Sequence, residues 1–293
     1  MSVCILLFCG KMGSGISRAD YLREQKEALE NRITLRFPGF KETDKQFLET
    51  QAAANKAFSH ISYLIKKLAS LTGLPKATEP ILTVINSAFL GSSLKSAMLA
   101  MKIETAVVNT VQPLLEAEMK SVARQLKLIS DEEISRKKKK TYLAIADHTC
   151  YQLLVKFSDS NFYLKKYPLV FAPFLMYFVS VYVPIALANC QVVGSRRMRE
   201  ECEANMEELK DVVIYFKEHA VKERLNFIGS CHPIDEYPFV SDDFLTEGRV
   251  LHVAWTLEPN ILKELLTWYR DEITNKYEDF FQPGLEALEE LDF

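Results

Sequence analysis

A long segment without any charged side chain is the feature that most constrains how this chain can fold. Tyr167 to Ser195 contains no Asp, Glu, Lys, Arg or His, and a basic pair stands on each side of it. A helix that is apolar all around must be covered either by other helices or by lipid. Asn189 and the internal prolines favour a buried central helix, because unpartnered polar groups are costly in lipid. The alternatives are a permanent transmembrane span and an irregular buried segment broken at Pro184.

The rest of the chain carries the periodicity of amphipathic helices. Gly and Pro number only 10 and 11, too few for the many turns of an all-β protein. The predicted fold class is therefore all-α, a helical bundle of about seven or eight helices around a buried apolar central helix. Residues 1–40 are predicted to be a leader and a poorly defined N-terminal segment, and residues 41–293 the helical bundle domain. The clearest apolar stripes are Ala54, Phe58, Ile61, Ile65 and Leu68, and Met206, Leu209, Val213, Phe216 and Ala220.

Prolines and glycines mark the predicted ends of several helices. Pro113 is expected to kink or split the helix that contains it. Gly229 to Gly248 includes two prolines and is predicted to be a loop, and no stretch has a convincing strand pattern. The last helix is predicted to start near Pro259, a first-turn proline, and to end at Pro283-Gly284.

No motif for catalysis, metal binding or a cofactor is present. The net charge of -3 provides no general attraction for nucleic acid. The glycine-rich stretch 10–15 matches no phosphate-loop spacing, and the five histidines lack metal-ligand spacing. Cys231-His232 is a poor nucleophile and base, since adjacent residues rarely orient in that way. The six cysteines contain no C-x-x-C pair, which predicts free and mostly buried thiols. We therefore predict no enzyme activity, no cofactor and no metal site.

The N-terminus gives little information on the compartment. Val3 to Cys9 is a short apolar run, and no basic residue precedes it, so it is a poor signal peptide. The predicted ground state is soluble, in the cytoplasm or secreted.

One strong run of positive charge stands out. It lies directly after the acidic residues 131–133 and is formed by Arg136, Lys137, Lys138, Lys139 and Lys140. The simplest interpretation is a solvated helix face. The alternatives are a contact with anionic lipid and a nucleic-acid or nuclear signal.

Two consecutive segments carry a resemblance to a known family. Val179 to Asn189 reads V-S-V-Y-V-P-I-A-L-A-N, and a charged amphipathic helix with Tyr215, His219 and Ala220 at its centre follows it. Over about residues 80–240 the chain resembles the helical N-terminal domain of the insecticidal crystal delta-endotoxins. It departs from that family at Pro184, which is expected to interrupt the central helix. The two β-rich receptor-binding domains of those toxins have no counterpart here.

The resemblance implies a pore-forming or membrane-perturbing module with toxin-like activity. In that family, the central helix and its preceding neighbour are thought to insert as a hairpin, which here corresponds to Ile134–Phe157 and Phe171–Gly194. The implied partner is membrane lipid, with oligomerisation on insertion, and no receptor is indicated. The alternative function is a soluble, non-enzymatic helical scaffold or interaction protein that keeps the fold without pore activity. The central-helix residues expected to be buried, and to enter the membrane, are Phe178, Val181, Tyr182, Pro184, Ile185, Leu187 and Asn189.

Overall fold

The structure is a computed structural model, and it divides the chain into two compact units. It describes residues 17–30, 33–72, 75–160, 162–228, 232–234, 237–243, 248–253 and 259–291. The first unit comprises Met1–Arg36 and Val221–Asp279, and the second comprises Phe37–Ala220 and Phe280–Phe293. The first sixteen residues of the predicted leader, including the apolar run at Val3 and the glycine-rich stretch, lie outside the described residues.

Helices dominate the described residues, which confirms the all-α fold class. Eleven α-helices are described rather than the seven or eight predicted. A π-helical turn, Ile85–Phe89, follows the fourth of them. In chain order they are α1 (Arg18–Glu30), α2 (Lys45–Ser59), α3 (Ile61–Ser70), α4 (Pro75–Val84), α5 (Ser93–Ala100), α6 (Thr105–Ser130), α7 (Arg136–Ser158), α8 (Tyr163–Lys166), α9 (Pro168–Val193), α10 (Arg196–Asn226) and α11 (Pro259–Glu289).

The apolar helix α9 lies at the centre of the second unit, as predicted. It packs against α2, α3, α4 and α7. Aromatic rings fill its surroundings: Phe174 contacts Phe40 and Phe89, with ring centroids 5.6 and 5.9 Å away. Near the end of α11, Gly284 lies so close to α9 that a Cβ there would come within 2.5 Å of the Met176 methyl group. The coat of α9 therefore includes both early and very late parts of the sequence.

Two of the extra helices come from breaks within predicted helices, and the single-turn α8 comes from the stretch before Pro168. His60, with φ -118°, separates α2 from α3 inside one continuous apolar stripe. The π-helical turn and the bend at Gly91 separate α4 from α5. The apolar periodicity does not reveal such a break, since Ala54 and Phe58 before His60 and Ile65 and Leu68 after it are all buried.

Three internal prolines leave their helices continuous, contrary to the predicted split at Pro113, interruption at Pro184 and helix end at Pro283. Pro113 lies within the continuous α6. It has no amide hydrogen to donate to the carbonyl of Asn109, four residues earlier. Both residues are exposed, so this carbonyl lies on the solvated side of the helix. Pro184 does not interrupt α9, and Pro283 does not end α11, which continues to Glu289. The start of α11 at Pro259 agrees with the prediction.

The predicted loop between residues 229 and 248 is wrong, because it contains strands. β3 (His232–Ile234), β4 (Tyr237–Asp243) and β5 (Gly248–Val253) form an antiparallel sheet in the order β3-β4-β5. Pro238 lies in the central strand, where a proline normally argues against sheet pairing. The register between β3 and β4 shifts across the stretch that contains Pro238, between the pairs Ile234–Tyr237 and His232–Val240.

A tight hairpin precedes α2. Its strands, β1 (Arg36–Phe37) and β2 (Phe40–Lys41), are joined through Gly39, which has φ +79°. A Cβ on Gly39 would lie 2.3 Å from the Ala97 backbone nitrogen of α5. Glycine is required here both for its backbone conformation and for this close approach.

Candidate functional site

The seven predicted central-helix residues all lie in the interior. Phe178, Val181, Tyr182 and Ile185 are fully buried, and Leu187 is only 7% exposed. Pro184 and Asn189 are buried as well. Burial is continuous from Pro168 to Cys190, so α9 has no solvent-facing side over most of its length.

Among the described residues, α9 is the one helix that is long and apolar enough to cross a membrane. It has 26 residues, about 39 Å at 1.5 Å per residue, against about 30 Å for a hydrocarbon core. The core helix of a soluble protein satisfies the same criteria of length and composition. In this fold the most apolar 18-residue stretch of α9 is completely covered by protein.

A polar pair joins α9 to α7. The Asn189 side-chain amide donates a hydrogen bond of 2.8 Å to the Asp147 carboxylate. Desolvation raises the pKa of Asp147, while the Asn189 hydrogen bond and the nearby His148 lower it in part. The Asn189 carbonyl oxygen is buried without a hydrogen-bond partner. The C-terminal part of α9, which is otherwise apolar, therefore holds a buried amide that is paired with a partly buried carboxylate.

Further polar side chains surround this pair. Burial raises the pKa of the Tyr182 hydroxyl, which lies beside Asn205 without hydrogen-bonding geometry. Cys150 of α7 is completely buried, and burial likewise raises the pKa of its thiol. The sequence analysis singled out Tyr182 and Asn189 but not Asn205. Cys150 follows the helical spacing of Leu143 and Leu154, which predicts its place on the buried stripe of α7.

The basic run forms the first turns of α7. Arg136, Lys137, Lys138 and Lys140 are exposed, whereas Lys139 is only 5% exposed. Lys139 lies four residues before the buried Leu143, so its stem follows the buried stripe. Four of the five predicted lipid-contact residues thus share the solvent side, and Lys139 does not.

These exposed cations have no ion pair within the described part of the chain. They also lie at a helix N-terminus, where the macrodipole disfavours positive charge. The single acidic residue of α7, Asp147, bonds to Asn189 of α9. The outer side of α7 is therefore uniformly positive at one end. Farther along it is partly apolar, since Ile145 and Val155 are each 41% exposed.

The histidines and cysteines considered for catalysis or metal binding form no such site among the described residues. The described residues contain no group of three His, Cys, Asp or Glu side chains that could hold a metal ion. Cys231 lies outside the described residues, so the structure does not describe the pair that it forms with His232.

Comparison with known proteins does not assign this chain to a family. No family model, no curated protein and no solved structure matches this chain. The likeness to the delta-endotoxin helical domain therefore rests on the two sequence segments that carry it.

Proposed function

We propose that this protein is a membrane-perturbing helical module that releases α9, together with α7, from its coat of helices into a lipid bilayer. The observation that carries the proposal is α9 itself: a span-length helix without charge that is buried on every side. Such a helix is stable in water only while it is covered, and it is equally suited to lipid.

The ends of α9 suit a membrane crossing. Lys165-Lys166 precede the helix, and Arg196-Arg197 follow it. Basic side chains at helix ends can reach the headgroups while the apolar segment occupies the hydrocarbon region. In the folded state, Lys165 donates to the Ser158 carbonyl and lies 4.5 Å from the centre of the Tyr215 ring. These contacts would have to break when the hairpin leaves the bundle.

Helix α7 is the natural partner of α9 in a hairpin. It has 23 residues, precedes α9 in the chain and packs directly against it. The Asp147–Asn189 hydrogen bond can persist within an inserted hairpin, since both partners belong to it. Retaining it matters because an unpaired ionisable group is costly in a bilayer.

The basic start of α7 favours anionic lipid as the first contact. Each Lys or Arg near an anionic membrane surface contributes about 1 kcal/mol of attraction. The four exposed cations would then bring the apolar outer positions of α7 to the headgroup layer. The same attraction offsets the unfavourable position of these charges at a helix N-terminus.

The second candidate function is a soluble, non-enzymatic helical scaffold or interaction protein. The observation that favours it is the completeness of α9 burial, together with the aromatic contacts that hold it. Under this alternative, α9 is a structural core helix and never leaves the bundle.

Leakage of dye-loaded vesicles separates the two functions. The 293-residue chain should release dye from anionic phosphatidylserine-containing vesicles more strongly than from phosphatidylcholine vesicles, either before or after limited proteolysis. If it releases no dye from either kind, before and after proteolysis, the scaffold alternative is preferred.

A charge-matched pair of variants tests the lipid contact. Replacing Lys137, Lys138 and Lys140 by Gln should weaken binding to anionic vesicles by about 100-fold, from about 1 kcal/mol for each lysine. The control replaces three exposed lysines elsewhere with Gln and changes the net charge equally; they are Lys66, Lys76 and Lys95. Equal losses in both variants would show that general charge, not the start of α7, governs binding.

A further inference from the structure

An acidic stripe runs along the outer side of α10. Its members, all exposed, follow one another at spacings that return to the same side of a helix, opposite the buried side of α10. They are Glu200, Glu203, Glu207, Asp211 and Glu218. No exposed basic side chain lies between residues 200 and 218, all of which the structure describes. An anionic bilayer would repel this stripe, so the proposed membrane function does not account for it.

The acidic stripe is only partly neutralised by the chain itself. Glu200 forms an ion pair with Arg196. Glu207 and Asp211 form none with any described residue. Ile214 lies among these charges and is 37% exposed. The outer side of α10 therefore presents unbalanced negative charge around one apolar side chain.

The outer side of α7 carries the opposite pattern. Beyond the exposed cations of its first turns, no exposed Asp, Glu, Lys or Arg follows in this described helix as far as Val155. Ile145, which is 41% exposed, follows Lys138 by seven positions. On α10, Ile214 follows Glu207 by the same seven positions. Seven positions are about two helical turns, or about 10 Å, so charge and isoleucine recur at one spacing on both helices.

We infer that copies of this protein associate in water, with the outer side of α7 of one copy docked on the acidic stripe of the next. Placed side by side in the same direction, the two helices bring Lys138 beside Glu207. The same register brings Ile145 beside Ile214. In the opposite direction, pairing the isoleucines would place Lys138 beside the uncharged Val221. Charge complementarity thus sets the direction and register of the contact, and burial of the isoleucines adds to it.

A second copy is the occupant that both surfaces identify. Both lie in the second unit, so every copy carries one of each. They cannot pair within a copy, because α7 and α10 already meet through their buried sides, where Phe157 contacts Phe216. The two surfaces differ, so each contact leaves an α7 surface and an acidic stripe free for further copies. Anionic lipid would use the same α7 surface, so a membrane competes with self-association.

Sedimentation velocity of the 293-residue chain tests the association. At about 0.1 mM protein in low salt, well above a micromolar dissociation constant, the average mass should exceed the 33.6 kDa of one chain and rise with concentration. It should fall towards that value in about 1 M salt, where the Debye length is about 3 Å. A chain that stays single in low salt overturns the inference and leaves the two surfaces to lipid or to other partners. Association that salt does not weaken overturns it as well, because the contact is then not electrostatic.

A charge swap identifies the two surfaces. Lys137→Glu with Lys138→Glu, and separately Glu207→Lys with Asp211→Lys, should each weaken self-association at least about tenfold, because like charges then face each other. An equal mixture of the two folded variants should associate again, because opposite charges then meet at every contact between them. The control, Lys66→Glu with Lys76→Glu, changes the net charge as the first variant does and should associate like the parent. Failure of the mixture to associate, or equal weakening by the control, would overturn the assignment of the surfaces.

Self-association and the proposed membrane function fail separately. A parent protein that stays single in solution and releases dye from anionic vesicles refutes self-association and leaves the membrane function standing. A parent protein that associates through the swapped surfaces and releases no dye refutes the membrane function alone.

Discussion

Truncating Phe178 to alanine tests whether α9 supports the bundle around it. Phe178 is fully buried, and its ring stacks on Phe157 and Tyr182, each with centroids 5.4 Å away. Phe157 in turn contacts Phe216 of α10 at 5.8 Å. Replacing a core Phe by Ala costs about 3–5 kcal/mol, through lost burial and the cavity that remains. The loss of two aromatic pairs places the expected value in the upper part of that range, about 4–5 kcal/mol.

Urea unfolding followed by circular dichroism measures this loss. The matched control is Val193→Ala on the same helix, because Val193 is 48% exposed and its truncation should cost less than about 0.5 kcal/mol. A double-mutant cycle between Phe157→Ala and Phe178→Ala should give a coupling of about 0.5–1.5 kcal/mol. A loss below about 1 kcal/mol for Phe178→Ala, or one equal to that of Val193→Ala, would refute the reasoning that α9 is the structural centre.

Three further changes have defined outcomes. Gly39→Ala should destabilise the protein by at least about 1–2 kcal/mol in urea unfolding, because its φ of +79° and the nearby Ala97 backbone exclude a side chain. Val181→Asp should prevent cooperative folding, seen as loss of the thermal transition, because it buries an unpaired charge. The raised pKa of Asp147 makes the folded state bind protons more tightly than the unfolded chain, whose value is near 3.8. Stability from this group is therefore complete below that pH and is lost as pH rises through the folded pKa. Asp147→Asn should remove this loss, keep the Asn189 bond and melt higher than the parent at pH 7; a lower melting temperature would contradict this.

The central helix could be predicted from the sequence because absence of charge is a strong constraint. Tyr167–Ser195 was delimited to within two residues of the observed α9. Composition alone required cover by protein or lipid, and Asn189 and the internal prolines favoured protein. The continuity of α9 through Pro184 was not predictable from the local sequence, since proline normally disrupts a helix interior. Packing on every side holds α9 together where an isolated helix would bend or break.

The polar contacts of α9 were harder to predict because they depend on how each helix is rotated about its own axis, which decides which side chains face each other. Asp147 and Asn189 are 42 positions apart, and nothing in the sequence indicates that they meet. Lys139 is different: its spacing from Leu143 already places it on the buried stripe, but the run of identical charges conceals this. The strands between His232 and Val253 were missed because Pro238 and the flanking glycine are ordinarily loop signals.

The contact between Gly284 and Met176 has a consequence for how the protein is made. Translation completes α9 long before it reaches residue 284, so during synthesis the Met176 side of α9 lacks this part of its cover. A stalled or truncated nascent chain therefore presents a helix of membrane-span length with an incomplete coat. Exposed apolar surface of this kind is prone to aggregation and to capture by chaperones. The last turns of α11 thus complete the cover of a helix that was synthesised much earlier.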